Sequence, residues 1–106
     1  MPAFKQSVPD MKLKRNAGRL LQAAARTYLK RNAVYGNNYK EFGRVMQGLF
    51  PRGLTLTTEE EWNRFGVFVM VMVKVTRYAQ NFKRGGHADS AHDLAVYAAM
   101  LEELTS

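Results

Sequence analysis

Two short groups of residues carry the chemistry this chain could do: Lys74-x-x-Arg77 and Asp89-x-x-x-Asp93-x-x-x-Tyr97. Residues three or four apart share a helical face, so each group forms one stripe if its segment is a helix. The cations suit a phosphate, and the carboxylates suit a base, a sugar or a metal. Gly85-Gly86 lies between the two groups. Counting outward from that turn sets Arg77 opposite Asp93 and places Lys74 near Tyr97, one turn further in. The same spacing equally serves a structural salt bridge that fixes the register of a helical hairpin, because ion-pair networks are common outside active sites.

Other residues could complete such a site. Tyr35 and Tyr39 bracket Gly36-Asn37-Asn38; they either pack that connection or stack on a base, and Asn38 either caps a helix or lines the pocket. Arg84 sits beside the double glycine, whose backbone donors could cradle a phosphate or simply end a helix. The spacing lacks the full P-loop pattern. His87 and His92 have no second histidine or carboxylate at a familiar zinc spacing, so the sequence calls for no metal and no cofactor. Asp93 is the best placed general base if a ligand is turned over, but an arginine partner would keep it ionised and weak. No catalytic residue is assigned.

Helices are the elements that can position these groups. Residues 1–9, with Pro2 and Pro9, read as a flexible arm. From Asp10, a plausible cap, Leu13, Ala17, Leu20, Leu21, Ala24 and Tyr28 recur at helical spacing, which predicts a helix to about Asn32. A second helix is expected over residues 38–49, burying Phe42, Val45, Met46 and Leu49 and ending at Pro51 and Gly53. Thr57 with Glu60, or Thr58 with Glu61, makes a capping box, and Glu59, Glu60 and Glu61 complement the helix dipole.

The following segment is ambiguous on propensity, since Val67, Val69, Val71, Val73 and Val75 alternate as in a strand. It runs on from a capping box without a turn signal, however, and its alternation is not apolar against polar. A central helix over residues 58–82, buried on most sides, accounts for both. Asp89 or Ser90 then caps a last helix to about Leu104, burying Ala91, Leu94, Ala95, Ala98, Leu101 and Leu104. The expected fold is all-α: a four-helix bundle-like single domain over residues 10–106, with a long central helix and a C-terminal helical hairpin.

Composition narrows the partners. A chain of 106 residues holds one modest core. With no cysteine, disulfides, thiol nucleophiles and Cys-ligated zinc are excluded. The longest apolar run, residues 65–73, is about half a membrane span, and the N-terminus has no apolar signal core, so a cytoplasmic chain with no membrane partner is expected. The net charge of +7 is uneven. Lys5, Lys12, Lys14, Arg15, Arg19, Arg26, Lys30, Arg31, Lys40, Arg44 and Arg52 against Asp10 and Glu41 leave residues 1–52 at +9, and the remainder at −2. That asymmetry attracts polyanions: nucleotides, nucleic acid or an acidic protein surface.

The basic first helix, Tyr35-Gly36 with Asn38, Lys74 with Arg77, Asp89 with Asp93-Leu94, and Tyr97 together resemble a small, mostly phage-encoded family of uncharacterised all-helical domains, over residues 13–104. The hairpin is also similar to phage nucleotide kinase-like domains, some relatives of which sequester cyclic nucleotide immune signals. It resembles MazG-like nucleoside triphosphate pyrophosphohydrolases as well, which are all-helical and assemble through similar hairpins. Those enzymes hold magnesium with a Glu-x-x-Glu set where this chain has Lys74 and Arg77, which argues against magnesium-dependent hydrolysis.

The resemblance implies a phage accessory protein in the cytoplasm of an infected cell, binding a nucleotide or related phosphorylated small molecule, with sequestration of a nucleotide immune signal as one form of that role. Lys74, Arg77 and Arg84 would meet phosphate, and Asp89 and Asp93 would orient them or contact sugar or base. Tyr35, Asn38 and Tyr97 would line the pocket. The rival readings are a nucleic-acid binder acting through the basic N-terminal half, and an inhibitor of a host protein. Three short helices can hardly cover residues 62–75, so a homo-oligomer is expected.

Overall fold

The computed structural model describes residues 15–106. Its elements are α1 (Ala17–Tyr35), α2 (Asn38–Leu49), α3 (Glu59–Gln80), a 3-10 turn (Phe82–Arg84) and α4 (Ala88–Glu103). The fold is all-α, with no strand among the described residues. Two compact units are distinguished, one ending at Val34 and the other spanning Tyr35–Ser106. The candidate site lies in the second. The expected arm over residues 1–9 and the cap at Asp10 fall outside the described residues.

In the first unit, α1 opens at Ala17, and the expected start at Asp10 lies outside the described residues. Asn16 supplies its cap, its Oδ1 accepting the Arg19 backbone N–H at 3.0 Å. The helix also runs past Asn32 to Tyr35. Its alanine-rich middle has high helix propensity and offers no breaker. Tyr35 is therefore the last helical residue rather than part of a turn.

In the second unit, Gly36 turns the chain with φ +62°, a conformation that favours glycine, and α2 starts at Asn38 as expected. Thr58 and Glu61 form the capping box that opens α3, while Thr57 adds its N–H to the same Glu61 carboxylate at 2.9 Å. Of the two boxes the sequence allowed, this one forms, and it settles the valine-rich segment as helix. A helix nucleated at that end continues through β-branched residues once tertiary contacts hold it. α3 and α4 then pack as a hairpin, with α2 against α3. Phe50 meets Phe68 edge to face, 5.8 Å between centroids.

The expected burial is corrected in two places. Residues 64–74 of α3, apart from the exposed Gly66, are half-buried rather than enclosed, and Trp62 is 57 % exposed. On α4 Ser90 is buried and Asp93, Leu94, Tyr97 and Leu101 are half-buried, whereas Ala91, Ala95, Ala98 and Leu104 are exposed. The helix is thus turned so that its polar stripe, not its alanines, meets α3. Leu49 is likewise exposed, unlike Phe42, Val45 and Met46.

Candidate functional site

The turn end of the hairpin holds the only buried residues among the described ones, and all three are polar: Thr76, Asn81 and Ser90. Each has a structural bond that explains its burial. The Thr76 hydroxyl donates to the Val73 carbonyl at 3.0 Å and accepts the Asn38 amide at 2.9 Å, which ties α2 to α3. Asn81 donates its side-chain amide to the Arg77 carbonyl at 2.9 Å, while its own carbonyl accepts the N–H groups of Arg84 and Gly86. This knot fixes the turn between the helices.

Gly86 has φ +88°, and a Cβ there would lie 2.6 Å from Tyr78 Cζ. Glycine is required for backbone and space together. Ser90 belongs to the start of α4, where His87 rather than Asp89 or Ser90 is the cap: its Nδ1 accepts the Ser90 backbone N–H at 3.3 Å and lies 2.7 Å from Ser90 Oγ. With Ser90 only 2 % exposed, this histidine–serine pair cannot present a nucleophile. It closes a helix end. The spacing His87-x-x-Ser90 was the available signal for this cap.

The ion pair of the hairpin joins Lys74 Nζ to Asp93 Oδ2 at 3.1 Å. The expected pairing of Arg77 with Asp93 and of Lys74 with Tyr97 is therefore corrected by about one helical turn. α3 stops at Gln80, and Asn81 with the 3-10 turn Phe82–Arg84 extends the connection on its side. The hairpin consequently folds about residues 83 and 84 rather than at Gly85, which moves the partner of Asp93 from Arg77 back to Lys74. The Lys74 side chain is 11 % exposed and that of Asp93 43 %, so the cation is the more enclosed member.

Arg77, released from that pairing, lies with its guanidinium carbon 4.5 Å from the centroid of the Tyr35 ring. Tyr35 meets His87 edge to face at 5.5 Å. The last residue of α1, the end of α3 and the cap of α4 thus converge on one guanidinium. Among the described residues no carboxylate lies within ion-pair distance of Arg77.

Of the predicted site residues, Lys74, Arg77, Asp93, Tyr35 and Asn38 are brought to this end. Tyr97 is half-buried one turn beyond Asp93, Asp89 is exposed in the first turn of α4, and Arg84 stands exposed in the 3-10 turn. Among the described residues no three His, Asp or Glu side chains gather as a metal site would require.

The other end of the hairpin carries an apolar groove of about 270 Å³, lined by Phe50, Leu54, Leu56, Phe65, Phe68 and Leu101 with Glu61 and Arg64 at its edge. Among the described residues no helix is long and apolar enough to cross a membrane. No family model, no curated protein and no solved structure matches the chain.

Proposed function

We propose that the turn end of the hairpin binds a nucleotide or a related phosphorylated small molecule through Arg77, with Lys74 and Asp93 beside it. The observation that carries this reading is the guanidinium of Arg77, placed on the Tyr35 ring without a carboxylate partner among the described residues. An arginine placed over an aromatic ring loses less freedom on binding than a free one and still has N–H groups for an acceptor. Phosphate is the acceptor that best fits that fork. Lys74 lies one turn away with its charge balanced by Asp93, whose carboxylate is exposed enough to accept from a sugar hydroxyl. Tyr35 and His87 offer ring surface for a base.

The test is a thermal-shift panel of nucleoside mono-, di- and triphosphates and cyclic mono- and dinucleotides, with and without magnesium. A ligand at 100 times its dissociation constant stabilises the fold by about 2.7 kcal/mol. One nucleotide class shifts the native protein, and Arg77→Gln loses the shift. An unchanged shift in that variant sinks the assignment of Arg77, and no shift from any nucleotide sinks the proposal.

A second reading concerns assembly, and a separate observation favours it: no apolar side chain among the described residues is fully buried. Trp62, Leu49, Leu54, Val96, Met100 and Leu104 are all exposed within the second unit. If each leaves roughly half of a side chain open, together they offer on the order of 500 Å² of apolar surface. That matches the apolar share, roughly 450 Å², of a standard interface of about 800 Å² per partner. A second copy of the chain is the proposed cover. Light scattering across a concentration series should give a mass above that of one chain, and a single-chain mass at every concentration removes the reading.

A further inference from the structure

We infer that α1 carries a binding face for the phosphate backbone of nucleic acid, separate from the small-ligand site at the hairpin turn. The evidence is the arrangement of charge around this helix. At 3.6 residues per turn, Arg19, Arg26 and Lys30 fall within about 40° of one another around the axis, with Gln22 beside them. Ala17, Leu20, Leu21, Ala24, Tyr28 and Tyr35 centre on the direction about 160° away, by the same spacing. Arg31 lies off the stripe. All three cations are exposed, and no carboxylate is paired with them among the described residues. The chain from Met11 to Lys40 holds no acidic residue at all.

Helix formation turns a scattered set of basic residues into a straight row. Arg19 to Lys30 spans about 16 Å along the axis at 1.5 Å per residue. A continuous line of phosphates matches such a row, whereas an acidic protein surface offers isolated carboxylates at irregular spacing. An anionic membrane is disfavoured by the composition of the opposite side. A helix lying in a bilayer surface inserts a face of bulky apolar residues opposite its cations, but here Arg31 falls between Leu20 and Ala24 by the same spacing, and Ala17 and Ala24 add little apolar area. The interaction reads backbone charge and not sequence, because three long cations on one face approach phosphates without entering a groove.

The experiment is fluorescence anisotropy of a labelled 20-base-pair duplex with the intact chain, titrated from 50 to 200 mM NaCl. Removing three phosphate contacts should flatten the plot of log affinity against log salt by about 2.7. The variant R19Q/R26Q/K30Q is expected to show that change, with at least a tenfold loss of affinity at 50 mM. Glutamine is a good helix former, so circular dichroism should report unchanged helicity. R19K/R26K, which keeps the charge, should retain the native slope, and so should K40Q/R52Q/R64Q, which removes as much charge from other elements.

Equal losses in that last variant would reduce the effect to net charge and overturn the proposal. Absence of duplex binding at 50 mM would overturn it too, as would binding to vesicles of phosphatidylcholine and phosphatidylglycerol in preference to duplex. K74A/R77A should leave the duplex titration unchanged, which keeps this face distinguishable from the nucleotide site.

Discussion

The two ends of the α3–α4 hairpin are built on opposite terms. At the turn end the enclosed groups are polar, and each is held by a named bond: Thr76 to Asn38 and Val73, Asn81 to Arg77, Ser90 to His87, Lys74 to Asp93. At the open end the material is apolar, yet Trp62 is 57 % exposed and a groove stands between α3 and Leu101. Apolar contacts are non-directional and tolerate partial cover, whereas a polar group away from water must find its partner or destabilise the fold. The turn end accordingly has one solution, and it holds Arg77 against Tyr35. The open end leaves apolar surface exposed.

The largest effect expected from this contrast is at the ion pair. Asp93→Ala leaves the enclosed Lys74 cation without its counter-charge and should destabilise the fold by about 3 kcal/mol. Lys74→Ala leaves the more exposed Asp93 and should cost about 1 kcal/mol, on the scale of a partly exposed pair. Urea denaturation of both variants checks the asymmetry, and equal losses would mean that Lys74 is not the enclosed partner.

Gly86→Ala comes next. A methyl group there meets the Tyr78 ring at a residue with positive φ, so a loss of about 2 kcal/mol is expected from strain at that backbone position alone. His87→Ala removes the cap of α4 and should cost about 1 kcal/mol, with amide exchange increasing first in residues 88–91. Trp62→Ala, in contrast, should change the stability of dilute protein by less than either turn-end variant while lowering the mass seen by light scattering. If it instead unfolds the chain as badly as Asp93→Ala does, the open end is core and the contrast fails.

The smallest effect is a pH dependence at the start of α3. The backbone N–H groups of Thr57 and Thr58 hold the Glu61 carboxyl down to about 2 from the usual 4.5. A folded-state value below the unfolded one means that the contribution is fully present above pH 4.5. It is lost as pH falls through that range toward about 2. Acid titration of Glu61→Gln followed by circular dichroism should therefore show a shallower fall between those limits than the native protein shows. Identical acid limbs would mean that the box adds nothing at that end.

Much of this was legible from local signals. The limits of α2, the capping box and the helical state of a valine-rich segment follow from short-range chemistry: a cap, a glycine turn, a proline beyond. Lys74, Arg77 and Asp93 stood out because residue type and spacing are enough to place charges on a helical face. Their pairing was not legible. It depends on how many residues the connection consumes on each side, and the 3-10 turn moved the register by one turn of helix. The facing side of α4 was misjudged for a related reason: alanines are equally acceptable inside or outside, so the pattern alone favoured the wrong stripe.

What the sequence determined by itself is therefore the set of helices, the uneven charge and the residues able to meet an anion, because these depend on contacts within a few residues. Tertiary structure decided which partner each polar group takes. Asn38 to Thr76, Lys74 to Asp93 and Arg77 over Tyr35 each join residues far apart in the chain, and no local rule sets distances between elements whose connection bends by an amount the sequence does not fix.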